Sequence, residues 1–159
     1  MKAIGFETHD HTGCVADAMQ AAETLCADRK LQFTPVRRRV LEILLDQHRA
    51  LGAYDILETL SSEGLGSQPP VAYRALDFLV QHGFAHRIEG LNAYTACTRP
   101  EHDHVPAFLV CRECRAVAEA ETEMTRGSLG EAARSSGFTI EDVVIEAKGL
   151  CPACAGADA

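Results

Sequence analysis

The chain has 159 residues, 47% hydrophobic and 24% charged, with a formal net charge of −8. That balance suits a globular chain able to bury a core; it excludes wholesale disorder and a protein that coats nucleic acid through bulk positive charge, but not a locally basic surface. No apolar run approaches the roughly 18 residues of a membrane helix, and residues 1–13 lack the apolar centre of a signal peptide, so a cytoplasmic protein with no membrane partner is expected.

In chain order, residues 1–14 are expected to be a flexible lead, with His9, Asp10, His11 and Cys14 incidental to function. Val15, Ala18, Met19, Ala22 and Leu25 then recur at helical spacing, predicting a helix over 14–29. Thr34-Pro35 is a start signal, a hydroxyl cap followed by proline at the first helical position, and the helix it opens carries Val36, Val40, Ile43 and Leu44 on one stripe. A third helix spans 53–62 and ends at the glycines of 63–67. Pro69-Pro70 opens a fourth over about 71–82, stopped by Gly83. Its Ala72, Ala75, Leu76 and Leu79 face inward, while Tyr73, Arg74, Asp77 and Gln81 face out. Two short β runs, 84–89 and 93–97, meet across Gly90-Leu91-Asn92 as a hairpin. Helices followed by a two-stranded ribbon make a winged helix-turn-helix.

Such a module lays its last helix in the major groove of double-stranded DNA. Tyr73 and Arg74 sit near the leading end of that helix, and an arginine there can bond a guanine edge in bidentate fashion. Arg37, Arg38 and Arg39 form the only basic run and are expected near the phosphate backbone, with Arg87 on the ribbon. The bland alternative for the run is a solvated helix face.

A change of texture around Pro100 divides the chain into a winged-helix part (1–97), a linker (98–103) and an α/β part (104–159). Acidity gathers in the back: residues 1–100 hold ten Lys/Arg against twelve Asp/Glu, and 101–159 hold five against eleven. Strands are expected at 105–110, 116–121 and 138–147, with a helix over 122–136. The fold class is therefore α+β.

Seven cysteines, an odd number in a reducing compartment, favour thiolate chemistry over disulfides. Cys111/Cys114 and Cys151/Cys154 are two C-x2-C pairs separated by thirty-six residues. Two such knuckles close a tetrahedral four-sulfur site, which suits zinc, and four thiolates leave no open position, so the site is structural. The competing redox reading is weaker because two pairs coincide and neither is expected to open a helix, the setting that activates a thiol. A second constellation gathers at the junction of the two parts: His86, Cys97, His102-Asp103-His104 and Glu119. This mixture of imidazole, thiolate and carboxylate matches zinc better than iron, since sulfur is the soft donor. Taken singly, each of these residues has a bland explanation as a surface or core residue.

These pieces together resemble the ferric uptake regulator family of bacterial metal-sensing repressors, most closely its zinc uptake branch. The resemblance is carried by residues 33–41 (FTPVRRRVL), 53–57 (AYDIL), 69–79 (PPVAYRALDFL), 83–89 (GFAHRIE), the paired knuckles and 144–151 (VIEAKGLC), and it covers about 22–154. It implies a homodimer formed by the α/β part, whose winged parts grip a palindromic operator of zinc-uptake genes. It implies two zincs per chain: a structural one on Cys111, Cys114, Cys151 and Cys154, and a regulatory one on His86, Cys97, His104 and Glu119, with His102 a substitute. Tyr73 and Arg74 correspond to the family's Tyr-Arg pair on the reading helix. One departure is that Val71-Ala72 stands where the branch has Thr-Val, removing a hydroxyl that could cap the helix or touch phosphate.

Two other classes compete. A zinc enzyme would need an open metal position beside a base, for which Glu119 and His102 are the candidates; no catalytic activity is expected. Sibling regulators sensing iron, manganese or peroxide favour nitrogen and oxygen donors, so Cys97 is the discriminating residue.

Overall fold

The computed structural model describes residues 5–6, 11–47, 49–100, 104–122 and 127–156. The front part consists of α1 (His11–Asp28), α2 (Pro35–Asp46), α3 (Ala53–Ser62), α4 (Pro69–Gln81) and an antiparallel ribbon of β1 (Ala85–Ile88) and β2 (Ala93–Ala96). The back part is a three-stranded sheet of β3 (Val105–Cys111), β4 (Val117–Thr122) and β5 (Ile145–Gly149) in the order β4-β3-β5, with α5 (Gly127–Ser136) and a short closing helix α6 (Pro152–Ala155). No described helix is long and apolar enough to cross a membrane.

The start signals act as the chemistry requires. The Thr34 hydroxyl accepts the Arg37 N–H at 3.3 Å, with Pro35 at the first helical position of α2. Helix α4 begins at Pro69, two residues before the expected start, because prolines fit the first turn, where backbone N–H groups have no partner anyway. Its cap, Gln68, makes no side-chain bond, and the Val71 N–H is taken by the Gln68 carbonyl at 3.0 Å. The hydroxyl missing at Val71-Ala72 therefore leaves no N–H stranded. Gly83, at φ 81°, closes α4 by a left-handed turn in which Phe84 N–H bonds the Leu79 carbonyl.

Two cores share the ribbon. Val40, Leu44, Ile56, Leu60, Leu76 and Leu79 form the front core with Phe84 and Tyr94, while Ile88 and Ala93 pack with Phe108, Val110 and Val117 of the sheet. Tyr94 and Ala93 are neighbours in sequence and so point to opposite faces. Residues 49–51 add backbone ties: Leu51 exchanges hydrogen bonds with Tyr94, and Ala50 N–H donates to the Arg115 carbonyl at 3.0 Å.

Three expectations need correction here. Helix α1 begins at His11, so residues 11–14 are helical rather than a flexible lead, although 1–4 and 7–10 lie outside the described residues. The strand expected over 138–147 exists only at Ile145–Gly149. Alternation marks apolar positions but cannot supply a neighbour, and β3 begins pairing with this segment only at Ala107 opposite Ile145. Helix α5 starts at Gly127 rather than 122, because β4 continues to Thr122, paired with Val105. The expected hairpin forms across 90–92, the chain reversing through a 3₁₀ turn (Glu89–Leu91) with Asn92, at φ 48°, in the left-handed conformation.

Candidate metal centres and reading helix

The four-sulfur cluster is assembled by register. Strands β3 and β5 run parallel with Cys111 opposite Gly149, and the Arg112 N–H bonds the Gly149 carbonyl at 2.9 Å. The first pair therefore sits beside the second, which begins two residues beyond β5. The first knuckle closes on itself, Arg115 N–H to Cys111 carbonyl at 3.0 Å, with Arg115 held at φ 61°. All four sulfurs lie within 4.8 Å of one another, and Cys114 and Cys151 stand 3.7 Å apart. A tetrahedron with zinc–sulfur bonds of about 2.3 Å has edges of about 3.8 Å, so the spacing fits.

Backbone N–H groups of Cys114 and Cys151 aimed at Cys111 pull its thiol down to about 6. The crowding sulfurs of Cys151, Cys114 and Cys111 push Cys154 up to about 12. Four thiolates this close need a cation, which is the chemistry of a metal staple. Against expectation, the second pair does open a helix: Cys151 is the residue preceding Pro152–Ala155. The turn is four residues long, and the two pairs face each other rather than solvent.

The mixed cluster brings together His86 from β1, Cys97 just after β2, His104 just before β3 and Glu119 from β4, again within 4.8 Å. Cys97 Sγ lies 3.8 Å from His104 Nε2 and 3.9 Å from Glu119 Oε1, and His86 Nε2 lies 3.3 Å from the same oxygen. Glu119 is only 5% exposed. Burial alone would raise its pKa, but His86, the Thr98 N–H and His104 outweigh it and hold the carboxyl at about 2. Thr98 N–H binds Oε2 at 3.1 Å, leaving Oε1 to face the histidines. The Arg99 N–H lies 3.4 Å from Cys97 Sγ, within reach of the sulfur. The His86 ring is tilted against Phe108 at 5.3 Å, and its Nε2 is buried without a hydrogen bond. A buried imidazole nitrogen 3.3 Å from a carboxylate oxygen and beside a thiol, without a hydrogen bond of its own, fits a metal ligand. The exception to tetrahedral spacing is the His104–Glu119 contact at 2.6 Å, a hydrogen bond that must open for both atoms to bind one ion. His102 and Asp103 lie outside the described residues.

On α4, Ala72, Ala75, Leu76 and Leu79 are buried, and Tyr73, Arg74, Asp77 and Gln81 are exposed, as the spacing predicts. Arg74 Nε donates to the Pro70 carbonyl at 3.2 Å. The basic run divides its labour. Arg39 grips Glu63 through two bonds and touches Glu42, and Arg38 pairs with Glu23. Arg37 stacks over the Phe78 ring at 3.9 Å. A shallow groove of about 180 Å³ runs between α2 and α4, bounded by Thr34, Val36, Arg37, Val71, Arg74 and Ala75. Arg87 is exposed on β1 and bonds Asn92. Sequence reasoning singled out neither Tyr54, an aromatic 68% exposed at the start of α3, nor the apolar surface of Leu129, Phe138, Val144 and Ile145. In both cases the only signal available was an apolar residue, which more often marks a core.

Residues 28–148 match the model of the Ferric uptake regulator family. The chain is 38% identical over 144 residues to the zinc uptake regulation protein of Escherichia coli (strain K12), covering 90% of this chain and 84% of that protein. Among solved structures, it resembles a zinc uptake regulator complexed with zinc and DNA, with a TM-score of 0.84 at 36% identity over 91% of this chain and 97% of the other. It resembles holo XcZur with a TM-score of 0.75 at 35% identity (87% and 96% covered) and apo XcZur with 0.50 at 36% identity (89% and 97% covered).

Proposed function

The chain belongs to the ferric uptake regulator family, and we propose that it is a zinc-responsive repressor that binds palindromic operators of zinc-uptake genes as a homodimer in the cytoplasm. The observation that carries the reading is the mixed cluster, in which two donors of the ribbon and two of the sheet bring their atoms within 4.8 Å. Two zincs per chain are proposed: a structural one on Cys111, Cys114, Cys151 and Cys154, and an exchangeable one on His86, Cys97, His104 and Glu119. Each set supplies four donors, which fills a tetrahedral zinc, whereas a catalytic zinc keeps a position open. Cys97, buried among the donors, weighs against iron- and manganese-sensing relatives.

Held by both parts at once, zinc would supply a crosslink and cancel the local charge of the thiolate and carboxylate. The residues determine what that achieves. His86 and Cys97 fix the ribbon, and the ribbon shares its core with α4 through Phe84 and Tyr94, so the reading helix is positioned with it. Arg74 and Tyr73 then address base edges, while Arg37, beside the groove between α2 and α4, and Arg38, next to it on α2 and paired with Glu23, address phosphate. In a dimer, two such helices must meet successive major-groove faces together, so a fixed spacing favours operator binding, and the operator must reciprocally tighten zinc. The greater likeness to the holo than to the apo form of XcZur, at nearly equal identity, supports an arrangement tied to loading. The exposed Leu129, Phe138, Val144 and Ile145 support a dimer face on the back part.

The test is zinc content per chain before and after mild chelation, with operator affinity recorded at buffered free zinc. Two zincs are expected, one inert and one exchangeable, with DNA binding lost alongside the second. A single inert zinc, with operator affinity indifferent to free zinc, would overturn the proposal.

A further inference from the structure

Away from both donor sets, the tip of the ribbon is gripped by a side chain from the far edge of the sheet. Glu146 on β5 accepts the Glu89 N–H at 2.6 Å with one oxygen and the Gly90 N–H at 2.9 Å with the other. These N–H groups open the 3₁₀ turn Glu89–Leu91, which has no side-chain cap of its own. Lys148, two residues along and so on the same face of β5, donates to the Gly90 carbonyl at 3.4 Å. Glycine at 90 leaves room for this approach: a Cβ there would lie 2.8 Å from Glu146 Oε2 and 3.0 Å from Lys148 Cε, so both side-chain ends would have to shift. Beneath the turn, Leu91 packs against the small core that the ribbon shares with Phe108, Val110 and Val117.

We propose that Glu146 is a positioning residue for the metal-dependent switch, its grip on the ribbon tip biasing the zinc-free chain toward the arrangement that the metal then locks. This rests on the reading of His86, Cys97, His104 and Glu119 as the exchangeable site. His86 lies on β1, three residues from Glu89, and the two paired strands move as one body. With the tip held, His86 and Cys97 already face His104 and Glu119; with the tip released, the described ties that remain are the small core, the bonds of residues 49–51 and the Thr98–Glu119 and Arg99–Glu121 contacts just beyond β2. Apparent zinc affinity equals the intrinsic affinity scaled by the fraction of chains in the competent arrangement. Two charge-assisted hydrogen bonds to one carboxylate are enough to move that fraction by about 10-fold. The clamp thereby sets the zinc concentration at which the switch turns, without touching any ligand.

The test combines hydrogen exchange at the Glu89 and Gly90 amides, with and without exchangeable zinc, and competitive zinc titration of the full chain. It compares the wild type with Glu146→Ala, Gly90→Ala and the double variant. Both amides should be partly protected in the zinc-free wild type, more strongly with zinc, and exposed in zinc-free Glu146→Ala. Exchangeable zinc should bind about 10-fold more weakly in Glu146→Ala, by a smaller factor in Gly90→Ala, and no more weakly in the double than in Glu146→Ala, while the inert zinc is retained. Rapid exchange of both amides in the wild type would overturn the clamp. Protected amides with unchanged zinc affinity in the variants would overturn its part in the switch, and loss of the inert zinc as well would assign Glu146 to general stability instead. A wild type with no exchangeable zinc at all removes the switch through the reading beneath it; the amides, which report the clamp directly, tell that failure from the others.

Discussion

The two donor clusters have the same number of atoms in the same radius, four within 4.8 Å, but they are held together differently. The sulfurs of Cys111, Cys114, Cys151 and Cys154 belong to one sheet, whose β3–β5 register and the Arg112-to-Gly149 hydrogen bond bring the knuckles together. The mixed cluster draws His86 and Cys97 from the ribbon and His104 and Glu119 from the sheet, joined among the described residues by a small core, the ties of residues 49–51, the Thr98–Glu119 and Arg99–Glu121 contacts and the Glu146 clamp. A metal added to the first cluster reinforces what the backbone already fixes. A metal added to the second chooses between relative placements of two parts, which is why only the second is suited to sensing.

The difference can be broken most severely at the first cluster. Cys151→Ser should abolish the inert zinc and strongly destabilise the back part, because a structural zinc contributes up to about 10 kcal/mol or more in small metal-dependent folds. Metal analysis and circular dichroism of the purified variant check this, and a folded, zinc-retaining Cys151→Ser would erase the distinction. The matching change at the second cluster should be selective. Cys97→Ser should keep the fold and the inert zinc but lose zinc-dependent operator binding by about 100-fold or more, read by gel shift at buffered free zinc.

A third test uses acid. In the zinc-free protein the Glu119 carboxyl lies at about 2, below its ordinary 4.5. A depressed folded-state pKa contributes stability that is present above the ordinary value and disappears as the pH falls toward the depressed one. Stability should therefore decline between about pH 4.5 and pH 2, by about 3 kcal/mol from this group. Glu119→Gln should flatten that part of the profile in chemical denaturation. The smallest effect belongs to the reading helix: Arg74→Ala should leave both zincs in place and cost about 1–3 kcal/mol of operator affinity, with relaxed preference at the contacted base pair. Fluorescence anisotropy against operators varied at single positions measures both.

What could be read in advance follows the same divide between local and assembled features. The caps at Thr34 and Pro69-Pro70, the buried stripe of α4 and the stop at Gly83 are local chemistry, and the structure has them where spacing put them. The two C-x2-C pairs declared themselves because each knuckle is a short-range motif. The mixed cluster was legible as residue types near a junction, and through the family resemblance as a ligand set, but spacing alone left its members open. The strand expected over 138–147 failed because pairing requires a partner strand, which alternation does not encode. The clamp of Glu146 on Gly90 was invisible for a related reason: a carboxylate capping a turn fifty-six residues away leaves no periodic trace.

The most direct measurement is anomalous diffraction at the zinc edge from crystals of the zinc-loaded protein. The account predicts two peaks per chain, one inside the four sulfurs and one within about 2.0–2.3 Å of His86, Cys97, His104 and Glu119 together. A second peak bound only by residues of one part, or His86 and Cys97 standing clear of His104 and Glu119 at full loading, would contradict it.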